Sequence, residues 1–280
     1  MTQSPKDDAP PADSPRLVLA CDAGNTRVKV GLFVVSETSA PELPPCLHDA
    51  VFAANGELPW REVERWTDGR PGPTLCCLTG SNPDAVGRIQ REWDERWPER
   101  ELLPFRDVAR ELPVRVDEPQ RVGVDRLLNA VAANAIREPG GPAVIVDSGT
   151  ATTVDCVDRE GAFCGGAILP GFELAARSLH EYTATLPLMT VDELRETTRH
   201  PVGRNTSAAI RSGLFWGQVG AVRELVTRLR TFLGSDSPAV LLTGGGAALL
   251  AAEFPEAKWE SHLSLQGLAL TAVRRAGRST

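Results

Sequence analysis

One pattern occurs twice in this chain and narrows what it can fold into: an apolar strand, an Asp-x-Gly turn rich in hydroxyls, and a second strand. The first copy is Leu17-Val-Leu-Ala-Cys-Asp22-Ala-Gly24-Asn25-Thr26-Arg-Val-Lys29-Val-Gly-Leu-Phe33. The second runs from Ala143 through Asp147-Ser-Gly-Thr150-Ala-Thr-Thr153-Val-Asp155 to Val157. Asp-x-Gly between apolar runs is a hairpin signal, and the tight form of that turn is expected to need a glycine at positive φ. A hairpin built for stability alone has no use for this many threonines and aspartates at its tip. Backbone N–H groups, hydroxyls and a carboxylate gathered in one turn suit phosphates and their cations. Two such hairpins half a chain apart imply a duplicated α/β unit with a cleft between the copies.

The rest of the chain supplies elements to flank those hairpins. Residues 1–15 are rich in Pro and Asp and are expected to be a disordered tail. A short helix is expected around Trp60–Trp66, a buried strand at Thr74–Thr79, and a helix over Asp84–Trp97 that sends Trp93 and Trp97 into the core. A helix entered by Gly123 carries Leu127, Leu128, Val131, Ala132, Ala135 and Ile136 on one face. Further helices are expected over Gly171–Thr185, from Gly203 through Val226 with Asn205-Thr206 as the cap, and over Ser264–Arg275. A third apolar strand, Val240–Thr243, opens into Gly244-Gly245-Gly246. The division read from this is a domain over 16–120 and a second over 121–280.

At 280 residues the chain is long enough for two domains of about 100–150 residues each. A net charge of −7 argues against a nucleic-acid or membrane-surface role, because both normally require a basic face. No apolar run approaches the roughly 18 residues that span a bilayer, and no signal-peptide pattern opens the chain. The six cysteines, Cys21, Cys46, Cys76, Cys77, Cys156 and Cys164, contain no Cys-x-x-Cys pair. The nearby histidine in sequence is His48, so the expectation is a reduced intracellular protein without a zinc site.

There is no Gly-x-x-x-x-Gly-Lys-[Ser/Thr] loop, and no full Gly-x-Gly-x-x-Gly fingerprint follows a strand. Phosphoryl transfer needs charge neutralisation, alignment and a group to take the acceptor's proton. Asp125, at the helix start after Gly123, is the candidate base, and capping is its alternative role. Arg126 opposes the helix dipole and therefore calls for an anionic partner. Lys29 is placed to reach phosphate, while Asp22 and Asp147 are suited to cations. The Asn205-Thr206 hydroxyl either caps its helix or meets a ligand.

Taken in order, Asp22-x-Gly-Asn-Thr26, Gly123-x-Asp125-Arg126-x-x-Asn129, Asp147-x-Gly-Thr150-Ala-x-Thr153-x-Asp155, Gly165-Gly-x-Ile-x-Pro-Gly171, Ser178-Leu with Thr183-Ala-x-Leu-Pro187, Asn205-Thr206 and Thr243-Gly-Gly245 resemble the motifs of type III pantothenate kinases. The resemblance covers residues 17 to 270. It implies the sugar-kinase/actin/heat-shock-70 fold: α/β, duplicated ribonuclease-H-like (actin-like) domains, mixed sheets flanked by helices, and an inter-domain cleft. It further implies ATP-dependent phosphorylation of pantothenate, the first step of coenzyme A synthesis, by a cytoplasmic homodimer. On this resemblance Asp22, Ala23, Gly24, Asn25, Thr26, Arg27, Val28, Lys29 and Thr150 bind ATP, with Mg²⁺ accompanying the nucleotide. Gly123, Val124, Asp125, Arg126 and Thr206 bind pantothenate, Asp125 is the general base, and Asp147 holds K⁺ or NH₄⁺. One position departs: many members carry Tyr seven residues before the Gly of Gly-x-Asp-Arg, where this chain has Val116, and its one tyrosine is Tyr182. Losing a hydrogen bond there costs about 1 kcal/mol of substrate binding. A regulator on the same fold, a kinase of another small alcohol and a phosphohydrolase are the alternatives.

Overall fold

The computed structural model describes residues 16–36, 42–66, 75–105, 107–195 and 200–278. The N-terminal segment 1–15 lies outside these. The first half contains β1 (Arg16–Ala23), β2 (Arg27–Val35), β3 (Cys46–Ala53), α1 (Trp60–Arg65), β4 (Leu75–Gly80), α2 (Pro83–Arg96), β5 (Leu102–Pro104) and α3 (Val124–Ile136). The second contains β6 (Ala143–Ser148), β7 (Ala151–Val157), β8 (Phe163–Pro170), α4 (Phe172–Glu181), α5 (Val191–Arg195), α6 (Thr206–Leu233), β9 (Ala239–Thr243), α7 (Ala247–Leu250), β10 (Lys258–Trp259) and α8 (Leu263–Arg278).

Two five-stranded mixed sheets result. Their orders are β3-β2-β1-β4-β5 and β8-β7-β6-β9-β10, the second being the first repeated strand for strand. In each, an antiparallel hairpin leads, and the first strand of that hairpin then pairs in parallel with a strand arriving by crossover. The duplication read from the two hairpins is therefore a duplication of the whole sheet.

The central strands are buried on both faces, which explains their near-continuous apolar sequences. In β6, Val144 and Val146 face a core formed with α4, α6 and α7, while Ala143 and Ile145 face the opposite way. In β1, Leu19 and Cys21 join a core with α1 and α2, and Val18 and Ala20 join that second, shared core. The shared core holds α3 and α8 between the two sheets. The two helices pack on each other, α3 lying against β6 and β7 and α8 against β1, β2 and β4. The helix that follows each sheet's strands thus covers the other sheet. Gly267 makes the close helix contact possible, because a Cβ there would overlap the Leu128 carbonyl.

Local chemistry sets the helix ends. Asn82 accepts from the Ala85 N–H at 3.1 Å with Pro83 in the first turn of α2, and Asn205 accepts from the Ala208 N–H at 2.9 Å to start α6. α6 runs past the expected Val226 to Leu233 and stops at Gly234, at φ +58°. α4 ends at Glu181, short of the expected Thr185. Trp93 is buried as expected, and Trp97 is half-buried against it and Trp60.

The turn expectation is corrected. Neither Gly24 nor Gly149 has positive φ. The pairs Ala23↔Val28 and Ser148↔Thr152 leave connections of four and three residues, so the two-residue turn that demands positive φ is not the one formed.

Candidate active site

The two hairpin tips meet. Thr26 Oγ1 and Thr150 Oγ1, 124 positions apart, are 2.6 Å from each other. The glycine-rich turn after β9 closes a third side. Its Gly246 N–H donates to the Ser148 carbonyl at 2.7 Å, and Arg195 Nη2 donates to the Gly245 carbonyl at 3.0 Å. The Arg27 guanidinium lies across from it, with Nη1 3.4 Å from where a Cβ on Gly245 would stand. Gly244 adopts φ +89°, and a Cβ there would overlap Asp147 Oδ1, so glycine is required on two counts.

Beneath the loops three carboxylates share a small volume. Asp22, near the end of β1, is buried and sits opposite Lys29 in the hairpin register. Its carboxyl is pushed up to about 6 by burial, with Lys29 pulling it down and the charges of Asp125 and Asp147 pushing it further up. Asp125, on the first turn of α3, is raised by burial and then by Asp147; the N–H groups at the helix start and Arg126 oppose the rise. Gly123 leaves room for it, since a Cβ there would come within 2.6 Å of Asp125 Oδ1.

The duplicated fold treats Asp22 and Asp147 alike, each held from the helix that covers its sheet. Ser264 Oγ of α8 donates to Asp22 Oδ2 at 3.4 Å, and Asn129 Nδ2 of α3 donates to Asp147 Oδ2 at 2.9 Å. Asn129 Oδ1 is buried without a partner. A spare buried oxygen beside clustered carboxylates is a donor set that fits a hard cation.

Arg126 finds its anionic partner inside the protein. Its Nε lies 3.1 and 3.0 Å from the two oxygens of Asp155, and Nη2 also donates to Oδ1. Its guanidinium lies 5.4 Å from the centre of the Phe163 ring. Asp155 is 2% exposed. Its carboxyl is raised by burial, which the arginine offsets.

The structure thus gathers Asp22, Gly24, Asn25, Thr26, Arg27, Lys29, Asp147 and Thr150 at the loop junction, with Gly123, Val124, Asp125 and Arg126 at the helix entry beside it. Ala23 and Val28 are buried strand positions that frame the first loop. Thr206 is exposed at the start of α6, with no hydrogen bond to α3 among the described residues. Val116 is half-buried beside Gly165, and Tyr182 is largely exposed at the end of α4. Sequence reasoning missed Asp155 as the partner of Arg126 and Ser264 as the partner of Asp22. Asp155 lay within a recognised motif, but nothing in the sequence marked Ser264.

The sequence model of the family described as Type III pantothenate kinase matches residues 18–228. A type III pantothenate kinase of Paramagnetospirillum magneticum is 46% identical over 140 residues, 50% of this chain and 51% of that one. The type III pantothenate kinase 1 of Symbiobacterium thermophilum is 33% identical over 269 residues, covering 91% of this chain and 95% of its own. Among solved structures, the activator of 2-hydroxyisocaproyl-CoA dehydratase from Clostridium difficile, with bound ADPNP, superimposes with a TM-score of 0.52 at 14% identity over 94% of this chain and 96% of that one. Component A of the Acidaminococcus fermentans (R)-2-hydroxyglutaryl-CoA dehydratase does so at 0.53 and 13%, over 94% and 99%. At those identities the structural likeness speaks for the fold alone, the duplicated actin-like α/β architecture. The matching sequence model and the near full-length relative decide the family: the chain belongs to the type III pantothenate kinases.

Proposed function

We propose that this protein transfers the γ-phosphoryl group of ATP to the hydroxyl of pantothenate, giving 4′-phosphopantothenate and ADP, with Asp125 as general base. The observation that carries the reading is a half-buried carboxylate at a helix entry, its proton affinity raised by that burial and by Asp147, beside two converging phosphate-type loops. Asp125 takes the hydroxyl proton as the oxygen attacks phosphorus and the bond to the ADP oxygen breaks. A carboxylate whose proton affinity is raised towards working pH is a better base than an exposed one. The tips around Gly24–Thr26 and Thr150 supply N–H and hydroxyl donors to the phosphates, and Lys29 adds positive charge. Arg126, held by Asp155 through Nε and Nη2, offers Nη1 to the pantothenate carboxylate. Asp147 and the free oxygen of Asn129 suit a monovalent cation, K⁺ or NH₄⁺, and Asp22 suits the Mg²⁺ that comes with the nucleotide; held there, such ions would supply positive charge against the phosphates.

Thr206 as a pantothenate contact, a homodimeric state and a cytoplasmic location are part of the proposal and rest on the family resemblance. Among the described residues no helix is long and apolar enough to cross a membrane. Val116 gives the pocket an apolar wall in place of a phenol.

The test is a coupled ATP-turnover assay with and without pantothenate, in K⁺ and then Na⁺ buffer, alongside Asp125→Ala. Pantothenate-dependent, K⁺-stimulated turnover that the variant loses is expected. ATP binding without pantothenate-stimulated turnover would sink the assignment and point to another alcohol or a regulatory role.

A further inference from the structure

Away from the cleft, at the outer edge of the first sheet, three ligand-type side chains converge from two distant parts of the chain. Cys46 Sγ, an Asp49 carboxylate oxygen and a His262 ring nitrogen all lie within 4.8 Å of one another. We infer that these residues form a binding site for a zinc-class divalent ion, three protein ligands leaving one position open to water.

A break in the strand pattern puts them together. Residues three apart on a regular strand point to opposite faces. β3 departs from regularity at Leu47: Leu32 pairs with His48 but Phe33 pairs with Cys46, so Leu47 is an extra, exposed residue. This bulge turns Cys46 onto the face of Asp49, whose partner Gly31 lies on the same side of β2 as Phe33. His48 stays on the other face, stacked 5.7 Å from Trp66. The sequence neighbour of Cys46 is thus excluded, and the histidine that joins it is 216 positions away. Re-aiming a side chain is a recurring use of bulges.

The His262 ring meets Phe33 edge-on at 6.4 Å. One turn further on, Gln266 Nε2 of α8 donates to the Pro44 carbonyl, just before β3, at 3.1 Å, which fixes the start of α8 against this strand. A tetrahedral ion keeps N, O and S ligands about 3.3–3.8 Å apart, given bonds of roughly 2.0–2.3 Å. Closing from the observed spacing takes about 1 Å of movement, within reach of the partly exposed Asp49 and His262 side chains. Mixed thiolate, imidazole and carboxylate donors favour zinc over magnesium or calcium. The Cys46 thiol is neutral at working pH, raised to about 11 by burial and then by Asp49. Binding therefore forms an S–metal bond and releases one proton to solvent. Since Ser264 bonds Asp22, an ion on His262 also ties the first turn of α8, and through it the cleft carboxylate, to β3.

The experiment uses the full chain, metal-stripped and titrated with Co²⁺ and then Zn²⁺. One equivalent of Co²⁺ should give a thiolate-to-cobalt charge-transfer band that Zn²⁺ displaces. Cys46→Ser should remove the band, and Asp49→Asn and His262→Ala should each weaken binding by at least about 100-fold, exceeding what loss of an outer-shell partner does. Zn²⁺ at 100 times Kd should raise the Tm of the parent by about 5 °C and leave that of Cys46→Ser unchanged. Absence of the band overturns the inference. So does a band that survives Cys46→Ser, or one lost only in Cys164→Ser, which would place the ion at Cys164, whose Sγ lies 3.4 Å from Asp158 Oδ2.

Discussion

Asp155→Ala tests the link between the buried ion pair and the site. Asp155 is 2% exposed and the Arg126 side chain 15%, so the guanidinium left behind would be charged, largely desolvated and unmatched. Breaking a buried pair by removing one partner costs about 3–5 kcal/mol. At roughly 2–4 °C per kcal/mol for a domain of this size, Tm should fall by about 6–20 °C. The partner substitution Arg126→Met and the double variant complete a cycle. With both charges gone the penalty for an unmatched charge disappears, so the double variant should be less destabilised than the sum of the singles by about 2 kcal/mol or more. Urea unfolding with a common m-value gives the energies. Steady-state kinetics at a temperature where every variant is folded gives the second readout. Asp155→Ala should raise KM for pantothenate about 10–100-fold and alter kcat much less, because it releases a binding group and leaves Asp125 in place. Additive single-variant energies, or a Tm within about 2 °C of the parent, would refute the reasoning.

Three further outcomes follow from the same geometry. Asp125→Asn removes a carboxylate that burial and Asp147 disfavour, so Tm should rise even as kcat falls by about 10²–10⁴, and a loss of both would refute it. Asp22 carries a folded-state pKa of about 6, above the unfolded value near 4, so the folded protein binds more protons in between. Its ionisation therefore costs nothing below about pH 4, costs progressively more as pH rises, and reaches about 3 kcal/mol above pH 6. In K⁺- and Mg²⁺-free buffer the stability gap between Asp22→Asn and the parent should widen across that window, and a pH-independent gap would refute the assignment. Gly267→Ala drives a methyl into the Leu128 carbonyl and should cost about 1–3 kcal/mol by prising α8 from α3; an unchanged urea midpoint would show that the helices have room to give.

What the sequence displays and what it hides follow a physical division. The hairpins are legible because their apolar alternation and polar tips are local, and their repetition reveals the second sheet. The end of α6 was placed too early at Val226, although Leu229, Leu233 and then Gly234 continue the pattern beyond it. The turn geometry was misread because it depends on loop length, which register sets. Arg126 announced that it needed an anion, but whether that anion was a ligand or Asp155 is decided by tertiary placement 29 positions on. Ser264 and His262 carry no local signal at all, because their roles come from the docking of α8 on a sheet built from the opposite end of the sequence.

That docking has a consequence for how the protein is made. The first sheet finishes at β5, yet one of its faces waits for a helix that begins at Leu263. At roughly 5–20 residues per second, the ribosome takes about 10–30 s to bridge that interval. Through it Val18, Ala20, Phe33 and Cys77 have no α8 to cover them. The N-terminal unit is therefore a poor candidate for independent folding on the ribosome. A nascent chain released before α8 emerges presents an apolar sheet face to the chaperone and protease machinery, so one late stop codon undoes a sheet whose strands were finished far upstream.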